Sequence, residues 1–162
     1  MKKVLQVFAV LIAIIVGSNS TKIEKCKAKD SPKIKDLEVN LEDCTGTDGR
    51  CILNRGQTYN FEQKFKSPKN VDNLEAVATA SVFKQPVQIT SADDSNACQN
   101  ISDMNGKKGC PLKKGKSYVY KKLITIKKDE IWANMNMQFH LKSGNNTITC
   151  FGLPIRVQEK KE

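Results

Sequence analysis

From Ile131 to Leu141 the chain alternates without a break. Ile131, Ala133, Met135, Met137, Phe139 and Leu141 are apolar, while Trp132, Asn134, Asn136, Gln138 and His140 between them are mostly amides. A β-strand turns successive side chains to opposite faces, so this period of two predicts a strand with one buried side. The pattern recurs along the chain. Phe151, Leu153, Ile155 and Val157 alternate with Gly152, Pro154 and Arg156, which leaves Cys150 outward. Leu37, Val39 and Leu41 face inward on an early strand, and Tyr59, Phe61 and Phe65 do so after the Arg55-Gly56 turn. Small residues (Ala76, Ala78, Ala80) line one face between Leu74 and Val82, and Tyr118, Tyr120, Ile124 and Ile126 share a face that Lys122 interrupts. Turn-forming clusters bound these runs at Ser67-Pro68-Lys69-Asn70, Ser91 to Ser102, Lys113 to Lys116 and Ser143-Gly144-Asn145-Asn146. With no convincing helical stretch, six or seven strands predict an all-β fold of two antiparallel sheets packed face to face.

The first 20 residues set the compartment. Met1-Lys2-Lys3 is a basic start, Val4 to Gly17 is a 14-residue apolar run broken only by Gln6, and Ser18-Asn19-Ser20 offers small residues for cleavage. This is the layout of a signal peptide, and the run falls short of the roughly 20 apolar residues that a membrane-spanning helix needs. Residues 21–162 then form one domain of 142 residues, exported to the extracellular space or to an endosomal-lysosomal lumen. Losing Lys2 and Lys3 leaves 25 basic against 17 acidic residues. In an exported chain this charge suits an acidic membrane surface or plain solvation rather than nucleic acid.

All six cysteines lie in that domain: Cys26, Cys44, Cys51, Cys98, Cys110 and Cys150. An even number in an exported chain predicts three disulfides. Six cysteines allow 15 pairings, and the spacings favour one of them. Cys44 and Cys51 enclose the turn-like Thr45 to Arg50, Cys98 and Cys110 enclose a polar loop, and Cys26 and Cys150 remain to join the ends. Zinc is the competing reading. No Cys-x-x-Cys occurs, and His140 is the single histidine, so neither a metal nor a cofactor is expected.

Three segments carry a family resemblance: Cys51-Ile52-Leu53-Asn54-Arg55-Gly56-Gln57-Thr58-Tyr59, the run from Cys110-Pro111-Leu112 to Tyr118-Val119-Tyr120, and Cys150-Phe151-Gly152-Leu153-Pro154-Ile155. With the cysteine order and spacing, they resemble the ML (MD-two-related lipid-recognition) family along essentially the whole mature chain. That family includes secreted Niemann-Pick type C sterol carriers and group-two mite allergens. The resemblance implies an immunoglobulin-like β-sandwich of six to eight strands, the same disulfide pairing, and an apolar cavity that holds a sterol, fatty acid or similar lipid. Carried over by position, the ligand wall falls on Leu41, Leu53, Tyr59, Val87, Ile124, Ile126, Met135, Met137, Phe139, Phe151 and Ile155. The phenylalanines at 139 and 151, the short Gln85-Pro86-Val87-Gln88-Ile89 segment and the long Cys98 to Cys110 loop resemble the arthropod branch. Its members serve sterol trafficking, chemical communication or recognition of bacterial lipids.

An enzyme is not expected, because a Ser-His-Asp arrangement would need His140, which the alternation turns outward to solvent. The pairs Asp93-Asp94 and Asp129-Glu130 fall in loops and are read as solvated. A protein-recognition module with a solid core is the alternative of a different class. Two sequons, Asn100-Ile101-Ser102 and Asn145-Asn146-Thr147, place glycans in predicted loops. Lysines 107, 108, 113, 114, 116, 121, 122, 127 and 128 concentrate around the predicted loop and strand between Cys110 and Trp132, part of which is a candidate surface for acidic bilayers, on a protein expected to be a monomer.

Overall fold

The computed structural model describes residues 21–26, 37–44, 48–82 and 85–160. The expected leader, residues 1–20, lies outside them. Ten strands are described: β1 (Glu24–Lys25), β2 (Glu38–Leu41), β3 (Cys51–Asn54), β4 (Thr58–Lys66), β5 (Glu75–Val82), β6 (Gln85–Gln88), β7 (Ile101–Asp103), β8 (Ser117–Thr125), β9 (Asn134–Ser143) and β10 (Asn146–Gln158). The larger sheet runs β1-β10-β9-β5-β6 with β3 also on β10, and the smaller runs β2-β4-β8-β7. The count exceeds the six to eight expected because β1, β3, β6 and β7 are pieces of two to four residues, too short for alternation to reveal.

The burial of β2, β4, β5, β8 and β9 follows the alternation, and the departures have local causes. Among the described residues every strand pairing is antiparallel except that of β3 with β10, which is parallel from Cys51↔Ile155 to Asn54↔Gln158. β10 is 13 residues long, so its edge beyond the two-residue β1 is free, and β3 fills it. Ile131 and Trp132 stand 42% and 72% exposed, against the inward place expected for Ile131, because β9 begins only at Asn134. Gln63 lies on the buried face of β4 between Phe61 and Phe65, where its Nε2 donates to Thr149 Oγ1 of the opposite sheet at 2.6 Å.

The two inner faces meet in an aromatic layer. Phe61 lies 4.8 Å from Phe139 between ring centroids, Phe139 lies 5.5 Å from Phe151, and Tyr120 lies 6.0 Å from Phe139. The bridges are Cys26–Cys150, Cys44–Cys51 and Cys98–Cys110. Cys150 points to the outer face of β10 but is buried, since β1 and Cys26 cover it. Gly152 permits that cover: a Cβ there would stand 3.3 Å from the Cβ of Glu24.

Candidate functional site

The inner faces of the two sheets also meet beside the aromatic layer, near the loop 126–133, which contributes Ile126 and Glu130. Between them lies an apolar slot. β4 supplies Tyr59 and Phe61, and Leu41 and Leu53 come from β2 and β3. Ile124 and Ile126 face them from β8 and its extension, while Met135, Met137, Ile155 and Val157 come from β9 and β10. Period two is what gathers these side chains, because each strand contributes every second residue to the same space. The Tyr59 hydroxyl accepts the backbone N–H of Asn54 at 2.7 Å, so the ring alone faces the slot.

The volume of this slot is about 20 Å³. That is room for a single water, whereas pockets for small organic ligands span roughly 300–1,000 Å³. The sheets therefore enclose a closed apolar seam in place of the ligand-sized cavity expected. Alternation fixes which side chains face inward, but not how far apart the two layers stand.

Eight of the eleven expected wall residues line the slot: Leu41, Leu53, Tyr59, Ile124, Ile126, Met135, Met137 and Ile155. Phe139 and Phe151 stand behind Phe61 in the aromatic layer, fully buried, and do not border the slot. Val87 pairs with Ala80 at the sheet edge, half-buried, and also lies apart from the slot. Its place is taken by Ile89 and Ala92, both buried. These two follow β6 in a turn with no periodicity, and their apolar character inside a polar segment was the only signal for them. Glu130, read as solvated, borders the slot mouth. Arg55 holds that loop: its Nε donates to the Glu130 carbonyl at 2.7 Å, its Nη2 donates to the same oxygen, and its Nη1 pairs with Glu159.

The remaining candidates resolve into structural roles. His140 is half-buried rather than solvated, with Nε2 3.6 Å from Cys150 Sγ and no partner on Nδ1 among the described residues. Burial, and then the nearby Lys142, hold its pKa below the ordinary histidine value. Cys26, His140 and Cys150 converge as a metal cluster would, but both sulfurs are spent in the disulfide and offer no thiolate. Asp93 and Asp94 are half-buried turn anchors. Asp93 Oδ1 accepts the N–H of Ala78 at 2.8 Å, and Asp94 Oδ2 accepts Tyr120 Oη at 3.0 Å and Asn100 Nδ2 at 2.8 Å. Desolvation, reinforced by Asp94, raises the Tyr120 pKa far above that of a free phenol.

The nine lysines do not form one face. β8 separates them by nine residues, roughly 27 Å at about 3.3 Å per step. Lysines 107, 108, 113, 114 and 116 sit beyond one end, exposed, and Lys127 and Lys128 sit beyond the other, exposed in the loop that carries Glu130. Lys121 is exposed on β8 itself, whereas Lys122 is half-buried on its inner face.

Comparison with known proteins bears on this architecture. No curated protein sequence matches the chain significantly. Among solved structures, a Niemann-Pick type C2 protein from Japanese carpenter ant matches with a TM-score of 0.68 at 22% identity, covering 85% of this chain and 99% of that one. Chicken MD-1, solved in complex with lipid IVa, matches with a TM-score of 0.41 at 15% identity, covering 76% of this chain and 91% of that one. The sequence model of the ML domain, of the group-two mite allergen type, matches residues 20–157, so this chain belongs to the ML family of lipid-recognition domains.

Proposed function

We propose that the chain is an exported, non-catalytic carrier that takes one small apolar lipid, of the sterol or fatty acid class, into the slot between its sheets. The observation that carries this reading is the slot's apolar wall, in which Glu130 is the one charged side chain among the described residues. Hiding 300 to 400 Å² of ligand surface would contribute about 7 to 10 kcal/mol before association costs. Because the slot is closed, part of that free energy goes into parting the sheets, and apparent affinity falls with the small population of the open form. Met135 and Met137 lower this barrier, since unbranched thioether side chains repack readily.

Supporting features sit outside the slot. Cleavage after Ser20 would release the domain into an oxidising compartment, as three disulfides require. Asn100 and Asn145 are both exposed, as glycan acceptors would be, although the Asn100 Nδ2 donates to Asp94 Oδ2. The loop that carries Glu130 joins exposed Ile131 and Trp132 to Lys127 and Lys128, the composition of a segment that settles into an acidic bilayer interface during handover. A second reading, a protein-recognition module with a solid core, is favoured by the 20 Å³ volume. One experiment separates them. Purified protein from its natural source is extracted with organic solvent and the extract analysed by mass spectrometry, with uptake of a fluorescent apolar probe as the companion measurement. A stoichiometric lipid, or saturable probe uptake, supports carriage. An empty protein that refuses every probe leaves the module.

A further inference from the structure

The slot has a side as well as a mouth. Among the described residues, β8 beyond residue 121 is the open edge of the smaller sheet, since β7 pairs only with Tyr118 to Tyr120. Across that edge lies the segment 89–93, whose Ile89 and Ala92 form part of the slot wall. Two lysines bridge the gap. Lys122 shares the inner face of β8 with Ile124, and its Nζ donates to the backbone carbonyl of Asp93. Lys127 Nζ donates to Thr90 Oγ1 at 3.3 Å.

Both partners are neutral oxygens. The carboxylate of Asp93 is turned away and committed, Oδ1 to the N–H of Ala78 and Oδ2 to Gln88 Nε2. Among the described residues, neither lysine has a carboxylate within ion-pair distance. The acidic residues nearest in sequence are Asp129 and Glu130, and Glu130 borders the slot, where Arg55 grips its backbone carbonyl. A half-buried ammonium on the inner face of a sandwich, satisfied by a carbonyl alone, is a cation awaiting a counter-ion. A carboxylate makes a shorter and stronger bond to it than a neutral oxygen can.

Resting on the carrier reading, we propose that Lys122 and Lys127 form a lateral clamp for the carboxylate of a long-chain fatty acid, whose apolar tail occupies the slot beside Ile89, Ala92 and Ile124. Arrival of the anion replaces the two neutral acceptors, and loosening the segment 89–93 widens the seam for the tail. The clamp therefore couples head-group recognition to opening. An uncharged lipid of the same length lacks the group that exchanges with Asp93 O and Thr90 Oγ1.

The test uses the full mature chain and displacement of a neutral fluorescent probe by oleate, oleyl alcohol and methyl oleate at pH 7.5. Oleate is expected to bind about tenfold more tightly than its ester or alcohol, in line with the advantage of charge-assisted bonds. In the variant carrying Lys122→Gln and Lys127→Gln the three ligands should converge, and Lys122→Glu should turn the preference toward oleylamine. Should the double variant misfold, the carboxyl signal of [1-13C]oleate in the wild type supplies a second reading: in the clamp it stays ionised to lower pH than in oleate dispersions. Equal binding of the three ligands to the wild type, or an oleate preference that survives the double substitution, overturns the clamp and leaves carriage standing. If no ligand displaces the probe and no probe is taken up, carriage itself fails and the clamp falls with it.

Discussion

At the scale of single residues, the slot makes stability and binding respond in opposite directions. Met137 is buried in the slot wall. Met137→Ala removes packing contacts and should lower stability by about 2–5 kcal/mol, read from a denaturant midpoint. The same change pre-forms space that a ligand otherwise has to create, so uptake of an apolar probe should strengthen. A solid-core module would show only the loss. His140 gives a pH-dependent prediction. Its pKa in the fold is held below the ordinary value near 6.5 by burial and by Lys142, so the unfolded chain binds the proton more tightly. The stability contributed by neutral His140 is then present above pH 6.5 and is lost as pH falls toward the lowered value. His140→Gln should flatten the fall in denaturant midpoint between pH 7.5 and 5.5. An unchanged slope in that variant would mean other groups carry the pH dependence.

At the scale of elements, the loop between β8 and β9 is where sequence and structure part. Alternation continues through Ile131 and Trp132, and a pattern of two cannot tell a strand from a loop that happens to alternate. Pairing decides it: β9 meets β10 from Asn134, while the loop is held by Arg55 on the Glu130 carbonyl. Trp132 is the only tryptophan in the chain and stands 72% exposed, so its emission reports this loop alone. Titration with vesicles containing acidic lipid should shift that emission to the blue and weaken in high salt, whereas neutral vesicles should do less. Emission indifferent to both would remove the loop from any role in handover. The lysines at the far end of β8 give a contrasting control, since their substitution should leave the Trp132 shift in place.

What was legible followed from the same physics. Inward positions such as Phe61, Phe139 and Ile155 are written in the period of two, because one buried face demands it. Gln63 escaped because a polar residue on an apolar face declares itself only when its partner, Thr149, is seen across the sheets. Ile89 and Ala92 escaped because they enter the wall from a turn. The width of the seam was never in the pattern, which records sidedness and not distance.

At the scale of the whole molecule, the three disulfides divide their labour by the length of chain each encloses. Cys26–Cys150 spans 124 residues, against 7 for Cys44–Cys51 and 12 for Cys98–Cys110. In the loop-entropy account the long closure restrains the unfolded chain by about 4–5 kcal/mol, while a loop near 15 residues contributes about 3 kcal/mol. The long bridge has a second effect, because it pins β1 and Cys26 over Gly152 and the edge of β10. An uncovered strand edge is a template for pairing with another chain. Replacing Cys26 and Cys150 together by serine should therefore produce the largest stability loss of the three double variants, with added aggregation on heating. It should not impair probe uptake by the folded fraction, because this bridge lies on the outer face of the larger sheet and contributes nothing to the slot wall. Denaturant midpoints for the three double variants, with probe uptake measured below each transition, check both halves. Equal losses in all three would show that chain restraint is not what the end-to-end bridge supplies, and lost uptake in the folded Cys26/Cys150 variant would show that the seam depends on the outer face after all.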